Sequence, residues 1–336
     1  MKGHFFIVGS GRCGTKFLRN MLILHPKVNI CVETHFLPVL YDLYGLKPIT
    51  FQEYFSVIDE HYDSKGSKWI YNLLRSEGKS YKGFKENFAE FCQNMKNGNI
   101  VDYTERLQEY LYGEGDYLVG DKTPHYGTIM TTLKKMWPNT KFIHLLRDGV
   151  YASQSMTKHP GFIKVINEAI PPTDLDRCSY KGRIGKYSSE AIKIKDAALF
   201  WKNVVVKTLE EARAISSSDY CEIRYEDLIR DPTQSLGSIA EFLGFYPDKK
   251  WVKKASWLAK PFFLNRIEHR MSKKEYLAVA VHIYETLQRF DYPLDDRYYS
   301  GLGFVNELGR SIGYGKNKFV KRTKTYINLV KRHVFN

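Results

Sequence analysis

The segment Val8-Gly9-Ser10-Gly11-Arg12-Cys13-Gly14-Thr15-Lys16-Phe17-Leu18 constrains the fold more than any other stretch of the chain. The apolar run His4-Phe5-Phe6-Ile7-Val8 leads into it and reads as a buried strand, while Phe17, Leu18, Met21 and Leu22 follow at helix spacing. Strand, glycine-rich turn and helix start together make a backbone cradle for an anion. The glycines let the chain curl, and backbone amides and the helix dipole then face negative charge. A nucleotide triphosphate loop needs Gly-Lys-[Ser/Thr] at its end. Here the order is Gly14-Thr15-Lys16 and Arg12 sits inside the loop, so this is a phosphate cradle of another make. For the loop alone, a tight glycine turn with no ligand is the plainer alternative.

Further strands alternate with helical patterns. Val28 to Val32, Tyr117 to Gly120, Lys141 to Leu146 and Tyr220 to Tyr225 read as strands. Thr34 to Tyr44 reads as helix with Gly45 as its stop, and Phe51 to about Tyr112 as mostly helical. A helix is expected from Arg147-Asp148-Gly149 through Met156, a long helix over Ser189 to Ala214, and an amphipathic helix ending near Leu243-Gly244. The stretch from Pro160 to Lys186, rich in Gly, Pro and polar residues, reads as a long loop or lid. Alternation of this kind implies an α/β fold, a P-loop-like central parallel sheet flanked by helices, with a helical insertion at about 46–115. A single α/β domain over 1–305, with a variable loop at about 160–187 and a basic C-terminal tail over 306–336, is the simplest organisation.

Composition narrows the class. The chain has 336 residues and a formal charge of +14. No apolar run reaches bilayer length, and the N-terminus enters the first strand with no room for a signal sequence, so a cytoplasmic protein, membrane-peripheral at most, is expected. Cys13, Cys31, Cys92, Cys178 and Cys221 are scattered without a Cys-x-x-Cys pair, which suggests reduced thiols and neither zinc nor a disulfide framework. Arg310, Lys316, Lys318, Lys321, Arg322, Lys324, Lys331 and Arg332 crowd the C-terminus without an acid among them. With Phe319, Tyr326, Ile327, Val330 and Val334 near helix spacing, that tail reads either as a helix packed on its own domain or as a contact for an anionic membrane or glycan. Nothing resembles a nucleic-acid module, so no nucleic-acid partner is expected.

Taken in order, these pieces resemble the sulfotransferases that use 3′-phosphoadenosine 5′-phosphosulfate (PAPS), especially the tyrosylprotein sulfotransferase branch and its bacterial relatives. The family's Pro-Arg-Ser-Gly-Thr-Thr loop after the first strand is matched by Gly11-Arg12-Cys13-Gly14-Thr15-Lys16. A strand followed by Arg-Asp-Gly, with a serine eight residues after the arginine, is matched by Leu145-Leu146-Arg147-Asp148-Gly149 and Ser155. Arg224-Tyr225-Glu226-Asp227-Leu228 matches a third segment. His25-Pro26 followed by Glu33-Thr34, and Lys122 in Lys122-Thr123-Pro124, match two more. The resemblance runs from about Phe5 to Phe245. Cys13 and Lys16 depart from it, replacing a serine and the second threonine: a hydroxyl contact is lost and a cation gained. Asn265-Arg266-Ile267-Glu268 is the candidate for a later phosphate-binding segment.

The resemblance implies the roles. Arg12, Cys13, Gly14, Thr15 and Lys16 would hold the 5′-phosphosulfate, with Arg12 also stabilising the leaving phosphate. Arg147 and Ser155 would hold the 3′-phosphate, Tyr225 would contact the nucleotide, and Arg266 would bind cofactor phosphate from the later segment. Glu33 would be the general base, Lys122 would lie beside the transferred group, and no metal would be required. His35 and His125 are reserve bases. Plainer roles exist for each: Glu33 as a helix cap, Lys122 paired with Asp121, Arg147 paired with Asp148, Tyr225 as a packed aromatic. The acceptor is left open among glycan, lipid, small phenol and peptide tyrosine, shaped by residues of the helical insertion and of the 160–186 stretch. A P-loop nucleotide or small-molecule kinase is the competing enzyme, disfavoured by the missing Gly-Lys-[Ser/Thr], and a non-catalytic nucleotide- or glycan-binding protein the competing non-enzyme.

Overall fold

The computed structural model describes residues 3–63, 65–95, 98–182, 190–259 and 271–292. The basic tail and Arg266 lie outside them. Five strands, β1 (Gly3–Val8), β2 (Val28–Val32), β3 (Leu118–Lys122), β4 (Lys141–Leu146) and β5 (Tyr220–Arg224), form one sheet in the order β2-β3-β1-β4-β5. Every pairing is parallel. β1 sits in the middle because it is apolar on both sides. Phe5 and Ile7 pack with Leu18, Leu22, Ile143 and Leu236 on one face. Phe6 and Val8 pack with Tyr126, Phe142 and the insertion helices on the other. A strand covered on both faces reads as a continuous apolar run, which β1 does.

Helix α1 (Thr15–Leu22) returns the chain toward β2, while α8 (Gly149–Met156) carries it from β4 toward β5. The connections therefore diverge between the adjacent strands β1 and β4, and at such a switch point the carboxyl ends of the strands leave a crevice. The helical insertion comprises α2 (Leu37–Tyr44), α3 (Phe51–Asp59), α4 (Trp69–Ser76), α5 (Phe84–Phe91) and α6 (Ile100–Tyr112). Capping boxes at Thr50/Glu53 and Asn99/Asp102 start α3 and α6, satisfying amides that precede the helical ladder. Beyond β3, a 3-10 turn opened by Pro124 leads to α7 (Met130–Met136). A long helix, α10 (Ile194–Ala212), packs on α8 and on α14 (Lys273–Arg289). Short α11 (Tyr225–Arg230), α12 (Pro232–Leu243) and α13 (Lys249–Ser256) cover the other face. Gly244, at φ 81°, ends α12 in the left-handed conformation that glycine adopts without penalty.

Two expectations change. The 160–186 stretch carries a regular helix, α9 (Pro160–Asn167), followed by 3-10 turns at Pro172–Asp174 and Arg177–Ser179. Proline at its first turn suits a helix start, and Phe162 and Val165 are buried three residues apart, so the apolar stripe outweighs the loop-like composition. α2 begins at Leu37 and not at Thr34, because His35 takes a left-handed φ of 54° that no helix accommodates.

Candidate active site

At the switch point lies a cavity of about 760 Å³. The loop after β1 forms its floor. Gly11 and Gly14 have φ of 76° and 96°, and a side chain at either position would strike the ring of Phe162 or Tyr225 within 2.4 Å. Glycine is therefore required by conformation and by space. Arg12 sits between them, itself at φ 54°, with its guanidinium exposed. The first helical bond of α1 runs from Leu18 N to Gly14 O, so the amides of Thr15 and Lys16 precede the ladder at the positive end of the helix dipole. Cys13 is fully buried, its Sγ turned toward Gly9, so only its backbone is available to a ligand.

β4 delivers Arg147 to the same crevice. It is buried, lies 4.9 Å over the Tyr225 ring and donates from Nη1 to Arg12 O at 2.9 Å. Asp148 is not its ion-pair partner. The carboxylate accepts from Val150 N at 2.8 Å and caps α8, while burial pushes its pKa up to about 7 against that hydrogen bond. Ser155, two turns along α8, accepts from Arg12 Nε at 3.1 Å. Arg12, Arg147, Ser155 and Tyr225 thus meet across β1 and β4.

The opposite wall comes from the ends of β2 and β3. Their register pairs Val32 with Lys122, which sets Glu33 beside the Lys122 side chain. Lys122 Nζ donates to Glu33 Oε1, and His35 Nε2 stands 3.7 Å from Glu33 Oε2. His35 Nδ1 lies 2.5 Å from Asp176 Oδ1. Burial alone would raise the Glu33 carboxyl, but Lys122 and His35 outweigh it and hold the group well below the usual carboxylate range. Burial likewise opposes charge on His35, yet its hydrogen bond to Asp176 and the charge of the nearby Glu33 carboxylate raise it to about 9. This shift favours the protonated form of His35 at neutral pH. Asp121 does not pair with Lys122; its oxygens accept from Thr34 Oγ1 at 2.7 Å and Thr123 Oγ1 at 2.6 Å. Burial pushes Asp121 to about 6, and these hydroxyl bonds limit the rise.

Between these walls the cavity is lined by Tyr62 and Trp69 from the insertion, by Phe162 and Val165 of α9, and by His125 and His159. Burial lowers the pKa of both histidines. Sequence reasoning missed Asp176, Trp69 and Phe162 as individual residues, although it pointed to the segments that carry them. Among the described residues, no group of three or more His, Cys, Asp or Glu side chains is arranged to hold a metal ion, and no helix is long and apolar enough to cross a membrane.

A model of the Sulfotransferase family matches residues 4–248. Protein-tyrosine sulfotransferase A of Caenorhabditis elegans is 21% identical over 265 residues, covering 78% of this chain and 55% of that protein. The chain thus spans about half the length of the curated relative it matches. Among solved structures, the sulfotransferase domain from the curacin biosynthetic pathway is similar at 19% identity and a TM-score of 0.52, covering 94% of this chain and 99% of that one. The sulfotransferase domain of the Synechococcus PCC 7002 olefin synthase gives 19% identity and a TM-score of 0.50 over 94% and 95% of the two chains. These two likenesses show a shared fold. An anion cradle at a sheet switch point, together with a family match over most of the chain, leads to one conclusion: this chain belongs to the sulfotransferase family.

Proposed function

We propose that the chain transfers a sulfuryl group from PAPS to a hydroxyl, or an amine, of an acceptor, with Glu33 as the general base. The observation that carries this reading is the convergence, on one cavity, of three cations on the β1–β4 side and a carboxylate–ammonium pair on the β2–β3 side. The cavity falls within the 300–1,000 Å³ or so typical of small-molecule sites. Its chemistry fits PAPS: Arg12, Lys16, Arg147 and loop amides suit an anionic donor with phosphate at two places.

PAPS would supply the sulfuryl group as an activated phosphosulfate. Arg12, Lys16 and the amides of Cys13, Gly14 and Thr15 would hold its 5′ side, where charge grows on the leaving phosphate. Arg147 and Ser155 would hold the 3′-phosphate, with Tyr225 against the nucleotide. Lys122 is near enough to Glu33 to serve both the base and the transferred group. Glu33 would take the proton of the acceptor hydroxyl as its oxygen bonds to sulfur, a contribution of about 10²–10⁴ in rate. For the acceptor, peptide tyrosine is the class named for the curated relative; the aromatic lining of the cavity suits it and small phenols alike.

The decisive measurement is calorimetry with adenosine 3′,5′-bisphosphate, the desulfated product, against ATP. ATP has no 3′-phosphate and would leave Arg147 without its anion, forgoing a charge-assisted pair worth about 1.5–3 kcal/mol. The bisphosphate should bind at least about tenfold more tightly. Equal or tighter ATP binding would overturn the reading in favour of a kinase, and tight bisphosphate binding without turnover of PAPS would favour a binding protein.

A further inference from the structure

We propose that Asp176 is a positioning residue for Glu33: by holding the His35 imidazole in place and charged, it sets a positive charge against the second oxygen of that carboxylate and couples it to the turn that follows α9. The role assigned to Glu33 rests on the reading above; the clamp itself rests on geometry. Four charges alternate in a line, Lys122, Glu33, His35 and Asp176, drawn from the end of β3, the segment after β2 and the residue that precedes the 3-10 turn at Arg177–Ser179. Asp176 and His35 are 4% and 8% exposed, so their 2.5 Å contact is shielded from water. Lys122 donates to Oε1, and His35 Nε2 stands 3.7 Å from Oε2, beyond hydrogen-bond length but close enough for its charge to favour one rotamer of the carboxylate.

The backbone is strained to reach this arrangement. Glu33 and His35 both adopt positive φ, 29° and 54°, conformations that cost non-glycine residues about 1–3 kcal/mol each and persist only where the surroundings enforce them. Trp69 packs on the His35 ring at 4.1 Å and leaves the imidazole edge to its two carboxylates. Arg177 anchors the turn from its other side by pairing with Asp42 through two nitrogens. The remaining titratable groups around His35 are Lys122, Asp121, His61 and His125. Burial lowers both of these histidines, His61 to about 4, so neither adds charge at neutral pH.

The test needs no acceptor. Isotope-labelled protein is titrated by NMR, following the His35 imidazole and the Glu33 carboxyl in the wild type, D176N and D42N. D176N should lower the His35 titration by at least about one unit and raise that of Glu33. D42N, which loosens the same turn without touching His35, should leave both unchanged. Unchanged titrations in folded D176N, or equal shifts in D42N, overturn the clamp. Should D176N fail to fold, H35Q read through the Glu33 carboxyl decides the point: the carboxyl must titrate higher, and no movement overturns the proposal. The two readings separate cleanly. Full turnover in E33Q would end the base assignment, while the His35 shift in D176N would still support the clamp.

Discussion

On the β1–β4 side of the cavity the charges wait: among the described residues, Arg12, Lys16 and Arg147 make no ion pair, and the first two stand exposed. On the β2–β3 side the charges are spent on one another, Lys122 on Glu33 and His35 on Glu33 and Asp176, largely out of water. Uncommitted cations at a loop take up an incoming anion without first breaking a pair. Buried pairs orient groups firmly, and removing one partner strands the other, typically at about 3–5 kcal/mol. One side is built to receive and the other to hold still.

The largest expected effect tests the held side. E33Q should lower kcat by about 10²–10⁴ while the dissociation constant for adenosine 3′,5′-bisphosphate stays within about threefold, a split that separates a base from a binding residue. Normal turnover would mean the held carboxylate is structural only. Next comes the pH dependence of stability. His35 titrates near 9 when folded and near 6.5 when unfolded, so its pairing stabilises fully below about pH 6.5 and is lost as pH rises through 9. The loss should be at most about 3 kcal/mol, seen as a falling Tm between pH 6.5 and 9.5 that flattens in H35Q. A wild-type Tm indifferent to pH across that window would contradict the charged array.

The receiving side should respond in affinity. R147A is expected to weaken the bisphosphate at least about tenfold by calorimetry, with no change in Tm trend against pH. If affinity is untouched, Arg147 is only a support for Arg12 O and the Tyr225 ring. The smallest effect belongs to C13S. The thiol is fully buried and points at Gly9, so bisphosphate affinity should change by less than about twofold. A large loss would show that the cradle depends on packing beneath it.

These two sides differ in legibility as well. Strand bounds at Val28–Val32 and Lys141–Leu146 and the loop at Gly11 to Lys16 could be read because each is one contiguous segment whose pattern follows from local geometry. That the sheet is parallel follows from alternation of strands and helices, whereas the strand order β2-β3-β1-β4-β5 comes only from the structure. Glu33 and Lys122 were each visible as motif residues, but their contact depends on the register of β2 against β3. His35 and Asp176 are 141 positions apart, and no local pattern announces that pairing. α9 was hidden by its flanking Gly and Pro residues, which outweighed two apolar positions that only burial makes meaningful.

The hydrogen bond from Arg147 to Arg12 O joins residues 135 positions apart in sequence. Between them lie the helical insertion, β3, which pairs with one edge of β1, and β4, which pairs with the other. Closing so long a loop costs entropy before any contact repays it, and folds dominated by such contacts assemble slowly. The cradle's completion by Arg147 therefore rests on a contact of high sequence separation, the kind that costs most loop entropy. A fragment ending before β4 would contain every residue of the Gly11–Lys16 loop and β3 beside β1, yet lack β4 and the Arg147 that it delivers. Such a piece, on a ribosome or in a split protein, should be blind to nucleotide, and ligand could act only on chains that have already closed the sheet.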